Sequence, residues 1–234
     1  MILSLLFVLL TIYPGQDKDI WSLPEFRSEQ GKYTEDWDTL SRLYNVPQWW
    51  RDAKFGAWSH WDPQSAAEYG DWYSRGMYMQ GHPQYEYHLQ QYGHPSEYGY
   101  KDLCNDWIID KWNPDELMEL YIEMGARYFV AMGNHHDNFD CWDSEYQPWN
   151  SVNVGPHQDI VGIWKKTADR YDMPFGIGFH ATPARTYGQF MTVRYRSDRT
   201  GQYEGVPYDA MLTEVDGKGK WWDGLDPVDL YGPV

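Results

Sequence analysis

Apolar residues in this chain gather into short runs that stop abruptly at histidine. The clearest run is Tyr128-Phe129-Val130-Ala131-Met132, which gives way within three residues to His135-His136-Asp137. It reads as a buried strand that delivers polar side chains to the mouth of a pocket. Upstream, Leu117, Leu120, Tyr121 and Met124 recur at helical spacing between Pro114 and Gly125, with acids after the proline and a closing glycine. The same unit returns downstream. Ile160, Ile163, Trp164, Thr167 and Ala168 mark one face of a helix over Asp159 to Tyr171, and Pro174 to His180 reads as the next strand, again ending in histidine. A third strand is predicted over Phe55 to Trp58, followed by Ser59-His60-Trp61-Asp62. Helix, turn, strand and polar loop in this order predict a parallel α/β protein, whose chemistry gathers at the carboxyl ends of its strands. Those ends converge on His60, His135, His136 and His180.

The intervening segments are less periodic. A short helix is expected in the stretch that ends before Pro47, and another around Gln84 to Gln91. Pro63 to Asn113, rich in Tyr, Gly and His, shows no sustained period and is read as a long functional loop at the rim of the pocket. The stretch after His180 has no βα rhythm and is read as a loop that lines or covers the site. Ile2 to Leu10 is apolar but shorter than the roughly 20 residues a span requires, so residues 1–16 are expected to be a secretory signal peptide, with a buried first strand as the alternative. Residues 17–48 then form an amino-terminal extension, and 49–234 the main domain.

Composition narrows the chemistry. The chain has 234 residues and a formal charge of −16, with no basic run, which argues against nucleic acid as a partner. Aromatic residues make up 18% of it, with 14 Trp and 20 Tyr, many beside Gly, His, Asp and Pro. Aromatic rings in polar loops suit the C–H faces of sugars, although a Trp-rich core would give the same count. Cys104 and Cys141 lack metal-binding spacing and leave one disulfide or two buried thiols open. The histidines with Asp137 could also hold Zn²⁺ or Fe²⁺. Strict strand alternation would send His135 and His136 to opposite sides, which disfavours a metal, and no cofactor is expected.

Five segments occur in one order: KFGAWSHW (Lys54 to Trp61), DWYSRGMY (Asp71 to Tyr78), GARYFVAMGNHHDNFDCWDS (Gly125 to Ser144), YQPWNS (Tyr146 to Ser151) and DIVGIWKKTADRYDMPFGIGFH (Asp159 to His180). Together they resemble the amino-terminal half of the catalytic domain of α-L-fucosidases, glycoside hydrolase family 29. That family's pattern has a KFG…HWG strand end, a (D/E)WY loop, a KHHDGF…WDS strand end and a third strand of the FG…Y or FG…H type. The chain departs from it at Asn134, where the family has Lys, and at Asn138 and Asp62, where it has Gly.

The resemblance implies a (β/α)8 TIM barrel that removes terminal α-L-fucose from glycans with retention, without cofactor, in a secreted, periplasmic or lysosomal setting. It implies that His60, Trp72, His135 and His136, with Tyr73 and His180, hold the sugar. Three βα units are legible against the eight of a complete barrel. The resemblance therefore places the nucleophile and the acid/base beyond Val234, and the chain is expected to be an incomplete barrel that is inactive by itself. Retaining hydrolysis uses two carboxyl groups about 5–5.5 Å apart. Asp62, Asp137, Asp140 and Asp143 stand near strand ends, with Asp137 expected to orient an imidazole. A noncatalytic carbohydrate-binding remnant and a metal-dependent hydrolase are the alternatives. Oligomeric state is left open.

Overall fold

The computed structural model describes residues 31, 33–34, 36–180, 193 and 196–232. The expected leader lies outside them, as does the beginning of the segment after His180. Contacts divide the chain into Met1–Pro47 and Gln48–Val234. In the first unit, α1 (Trp37–Leu43) forms because Asp36 accepts the Thr39 N–H at its amino end, and it buries none of its residues.

The second unit is built on a parallel sheet of β1 (Ala57–Ser59), β2 (Phe129–Asn134) and β3 (Phe175–Phe179), hydrogen-bonded in that order. It opens with α2 (Gln48–Ala53). Both expected helices before the second and third strands are present, as α6 (Pro114–Glu123) and α7 (Ile160–Arg170). Asn113 and Asp159 cap them by accepting the Glu116 and Gly162 N–H groups.

Alternation sorts the strand residues. Phe129 pairs with Phe175 and Ala131 with Ile177, all on the face toward α6 and α7. There Phe129 stacks on Tyr121 at 5.6 Å and packs against Trp164 at 4.6 Å, and Trp164 meets Trp112 at 5.1 Å. This aromatic knot is the centre of the core. The opposite face carries Trp58, Val130 and Gly178. Trp58 lies so close over Gly178 that a Cβ there would meet its ring at 3.0 Å, so glycine at this position lets the indole lie flat on the sheet.

The segment 63–113 is less of a loop than its sequence suggests, and the short helix expected around Gln84 to Gln91 is present. It folds into a 3-10 turn (Pro63–Ala67) and three short helices, α3 (Tyr73–Gly76), α4 (Pro83–Gln91) and α5 (Tyr100–Asn105). This layer supplies Tyr73, Met77, Tyr78, Tyr100, Leu103 and Cys104 to the core. Helices of four and six residues, as α3 and α5 are, are too short to display a 3.6-residue period, and their buried positions include Ser74, Lys101 and Asp102, which read as polar. Cys104 and Cys141 are buried free thiols, their ionisation pushed up by burial.

The segment after His180, where described, binds to this helical layer. Tyr78 and Tyr231 donate to the buried Asp209, and the Trp149 indole donates to the Asp226 carbonyl beside the last helix, Pro227–Tyr231. Asn138, at the family's glycine position, has φ +59° and sends its amide to the Asp229 and Leu230 carbonyls at 2.8 and 3.1 Å. Asparagine tolerates the left-handed region that this turn requires, and adds a tether glycine lacks. No helix among the described residues is long and apolar enough to cross a membrane.

Candidate functional site

Each strand end contributes an imidazole to one cluster. His60 follows Trp58 on the open face of β1, and His180 follows Gly178 on the same face of β3. On β2 the register slips: Met132 pairs with Gly178, but Asn134 pairs with Phe179, so β2 has one residue more than β3. This bulge reverses the alternation. It puts His135 level with His180 on the open face, and the chain then turns away from the strand so that His136 swings in as well. The expectation that the two histidines point apart is therefore corrected: their ring centroids lie 4.9 Å apart.

The cluster is close-set. His60 lies 4.6 Å from His135 and 5.7 Å from His180, while His135 lies 5.1 Å from His180 and nearly parallel to it. His136 Nε2 and His180 Nδ1 are 3.2 Å apart. Two tryptophans wall the group. Trp58 lies 5.2 Å from His60, and Trp72 lies 5.0 Å from His136. Trp72 has φ +58° and ψ +32°, a left-handed conformation that costs a bulky residue roughly 1–2 kcal/mol. Its loop is held from behind, where Gln84 donates its amide to the Tyr69 and Asp71 carbonyls at 3.2 and 2.8 Å. Strain of this kind concentrates at functional sites, and here it aims the indole at the histidines.

Of the sequence-predicted residues, His60, Trp72, His135, His136 and His180 come together. Tyr73 does not. It is fully buried, its hydroxyl against His88 Nδ1 at 3.0 Å inside the helical layer, because α3 turns it away from Trp72. Asp137 likewise does not take the imidazole-orienting place expected of it. It accepts the Tyr100 hydroxyl and the Phe139 N–H, and the group on His135 Nδ1 is Gln64, 2.5 Å away. Sequence reasoning missed Trp58, Gln64 and Asp71. Trp58 was detectable, since it stands two residues before His60 and shares its face. Asp71 acts on the site by its charge, which favours protonation of His60 and His136. Gln64 carries no local signal.

Burial and, after it, the crowded imidazoles lower the proton affinity of His60, His135 and His136, His135 to about 3. These rings are neutral near pH 7, each with one donor and one acceptor. His135 Nδ1 also lies 3.8 Å from Asp62, but a neutral ring makes no ion pair with it. Donor atoms of His135, His136 and His180 all lie within 4.8 Å of one another, and so do those of Asp62, His135 and Asp137.

Asp62 and Asp137 are buried together behind His135. Burial raises Asp62 to about 6, and burial with the Asp62 charge raises Asp137 well above the carboxylate range. The folded chain thus holds protons that the unfolded chain releases near pH 4, so this pair's contribution to stability is full below about pH 4 and falls as pH rises, through about 6 for Asp62 and further for Asp137. Asp137→Asn, which holds no such proton, is expected to gain in stability on the natural chain as pH rises from about 4.5 to 7. Urea denaturation at the two pH values measures this, and parallel behaviour of both proteins would contradict it.

Fold and site together define a parallel α/β protein with a strand-end site of neutral imidazoles and tryptophans. A family profile described as Alpha-L-fucosidase matches residues 23–218, and the chain belongs to that family. Human tissue alpha-L-fucosidase is 34% identical over 148 residues, which are 62% of this chain and 31% of the human protein. A putative alpha-L-fucosidase of Caenorhabditis elegans is 32% identical over 152 residues, 63% of this chain and 31% of that one. The crystal structure of Thermotoga maritima alpha-fucosidase in complex with fucose aligns with a TM-score of 0.56 at 31% identity, covering 63% of this chain and 37% of that one. The matched region spans about a third of the length of these relatives.

Proposed function

We propose that this chain forms the first part of the (β/α)8 catalytic barrel of a retaining α-L-fucosidase, and that His60, Trp72, His135, His136 and His180 are its fucose-binding wall. The observation that carries the reading is the convergence of these side chains from three parallel strand ends and the strained Trp72 loop. A fucose ring presents hydroxyls in fixed directions and one methyl group. Neutral imidazoles can donate to and accept from the hydroxyls, and an indole can cover the methyl side. Fucose bound in the Thermotoga maritima relative supports the ligand.

The nucleophile and the acid/base are assigned outside these residues. Asp62 and Asp137 are a close carboxyl pair, and both are buried behind His135, away from a glycosidic bond at the strand-end cluster. The intact protein would then cleave α-L-fucosides in fucosylated glycans, in a secreted, periplasmic or lysosomal compartment.

Titration of the chain with L-fucose, followed by tryptophan fluorescence, tests the site. Saturable binding is expected, weaker for L-galactose, whose hydroxymethyl replaces the methyl beside Trp72. Equal response to both sugars, or to neither, would remove the reading. Turnover of an aryl α-L-fucoside by the 234-residue chain itself would overturn the placement of the carboxylates.

One observation favours a second reading, a metal-dependent hydrolase: the gathered donors of His135, His136 and His180. A tetrahedral zinc site needs Zn–N distances of about 2.0–2.1 Å, so the outer donors would have to close inward. Stoichiometric zinc or iron in the purified protein would put this reading first.

A further inference from the structure

Gln64 touches three parts of the site at once. Its main-chain N–H donates to Asp62 Oδ1 at 2.9 Å, at the start of the 3-10 turn that follows β1. Its side-chain amide then reaches across the molecule to His135, 71 residues away in sequence. The amide's orientation is set from both ends. On one side its Oε1 faces the Ser74 N–H at 3.3 Å and the Ser74 hydroxyl at 2.9 Å, and a main-chain N–H can only donate. On the other side its Nε2 lies between Asp62 Oδ2 at 3.4 Å and His135 Nδ1 at 2.5 Å. Turning the amide over would set its oxygen against a carboxylate and its NH₂ against the Ser74 N–H. The Ser74 N–H and the Asp62 carboxylate therefore choose the same orientation, independently of the His135 tautomer.

We propose that Gln64 is a positioning residue that locks His135 as the Nε2–H tautomer, so that this imidazole offers the strand-end cluster a hydrogen-bond donor. Gln64 has two amide hydrogens, one for Asp62 and one for His135. The Nδ1 that receives the second must carry a lone pair, and the one proton of the neutral ring then sits on Nε2. Burial among the neighbouring imidazoles keeps the ring from taking a second proton near pH 7. Resting on the fucose reading above, the lock gives the site a direction: His135 donates to a hydroxyl oxygen of the sugar, and the partner hydroxyl proton must go to another ring. Ser74 ties the lock to the Trp72 loop, since it is the second residue of the helix that Trp72 precedes. The recognition histidine and the indole wall are thus set by one side chain.

Two-bond ¹H–¹⁵N correlation of the histidine side chains tests this in the whole chain near pH 7, without sugar. The His135 signals are assigned by their loss in His135→Asn. A single tautomer is expected, with Nε2 protonated and Nδ1 bare. Gln64→Glu keeps an acceptor for Ser74 but sets an oxygen against Nδ1, and is expected to move the proton to Nδ1 and weaken L-fucose binding at least about tenfold. An Nδ1–H or mixed tautomer in the natural chain overturns the proposal, as does an unmoved proton in Gln64→Glu. The natural chain's spectrum decides alone if the variant does not fold. The expected tautomer in a chain that binds no fucose would uphold the lock and sink the fucose reading instead.

Discussion

Replacing His135 by alanine is expected to weaken L-fucose binding by roughly 10- to 100-fold, the cost of deleting one buried hydrogen-bond partner and leaving its neighbours unpaired. His135 is the centre of the cluster, 4.6 Å from His60, 4.9 Å from His136 and 5.1 Å from His180. Its removal leaves the Gln64 amide hydrogen without an acceptor and opens a gap that Trp72 and His180 now border only in part. His60→Ala is expected to cost less, because no hydrogen bond as close as that of Gln64 holds His60 in the ligand-free site. Fluorescence titration of both variants checks the order, with thermal melting alongside to separate loss of site from loss of fold. In a fucosidase of the kind proposed above the same changes should raise KM and lower kcat together. Unchanged affinity in both variants would end the sugar-binding assignment.

The second large effect is on stability. Trp164→Ala should cost about 3–5 kcal/mol, a large share of the 5–15 kcal/mol that holds a typical domain folded. Trp164 is 2% exposed and lies where α7 meets the sheet, against Phe129 of β2 and Trp112 of the loop before α6. An indole-sized void between two layers of hydrogen-bonded backbone closes only in part. Because β2 carries the bulge that places His135, loosening its packed face should also degrade the site. The urea midpoint of the variant reports the first effect, and a loss of fucose response below the denaturation zone reports the second. A shift under about 1 kcal/mol would mean that the knot around Phe129 is not the core's centre.

The two helices α6 and α7 and the strands they precede were legible because each is long enough to show its period. Asn113 and Asp159 also announce their starts as caps. Of the helical layer of residues 63–105 only the nine-residue α4 was, as a short helix around Gln84 to Gln91. Its buried positions are Gln84, Tyr85 and His88, whose polar edges are satisfied by groups outside the helix. The Tyr85 hydroxyl meets Asp198, and His88 meets the Tyr73 hydroxyl and the Tyr98 carbonyl. No local pattern records partners that far away.

The site divides in the same way. By itself the sequence determined that three strands end in histidine and that the sheet is parallel, and its family resemblance placed Trp72 with them. Covalent order and side-chain periodicity are local properties, and they suffice for the strands and the sheet. Only the tertiary structure decided which neighbours of a pair face the ligand. It kept Trp72 in the site through a left-handed backbone, sent Tyr73 into the core, and turned both His135 and His136 inward through one extra residue in β2. It also gave His135 its hydrogen-bond partner, Gln64, in place of the adjacent Asp137. A bulge is a mismatch between two strands, and the direction of a hydrogen bond depends on all the groups around it, so neither exists until the chain has folded.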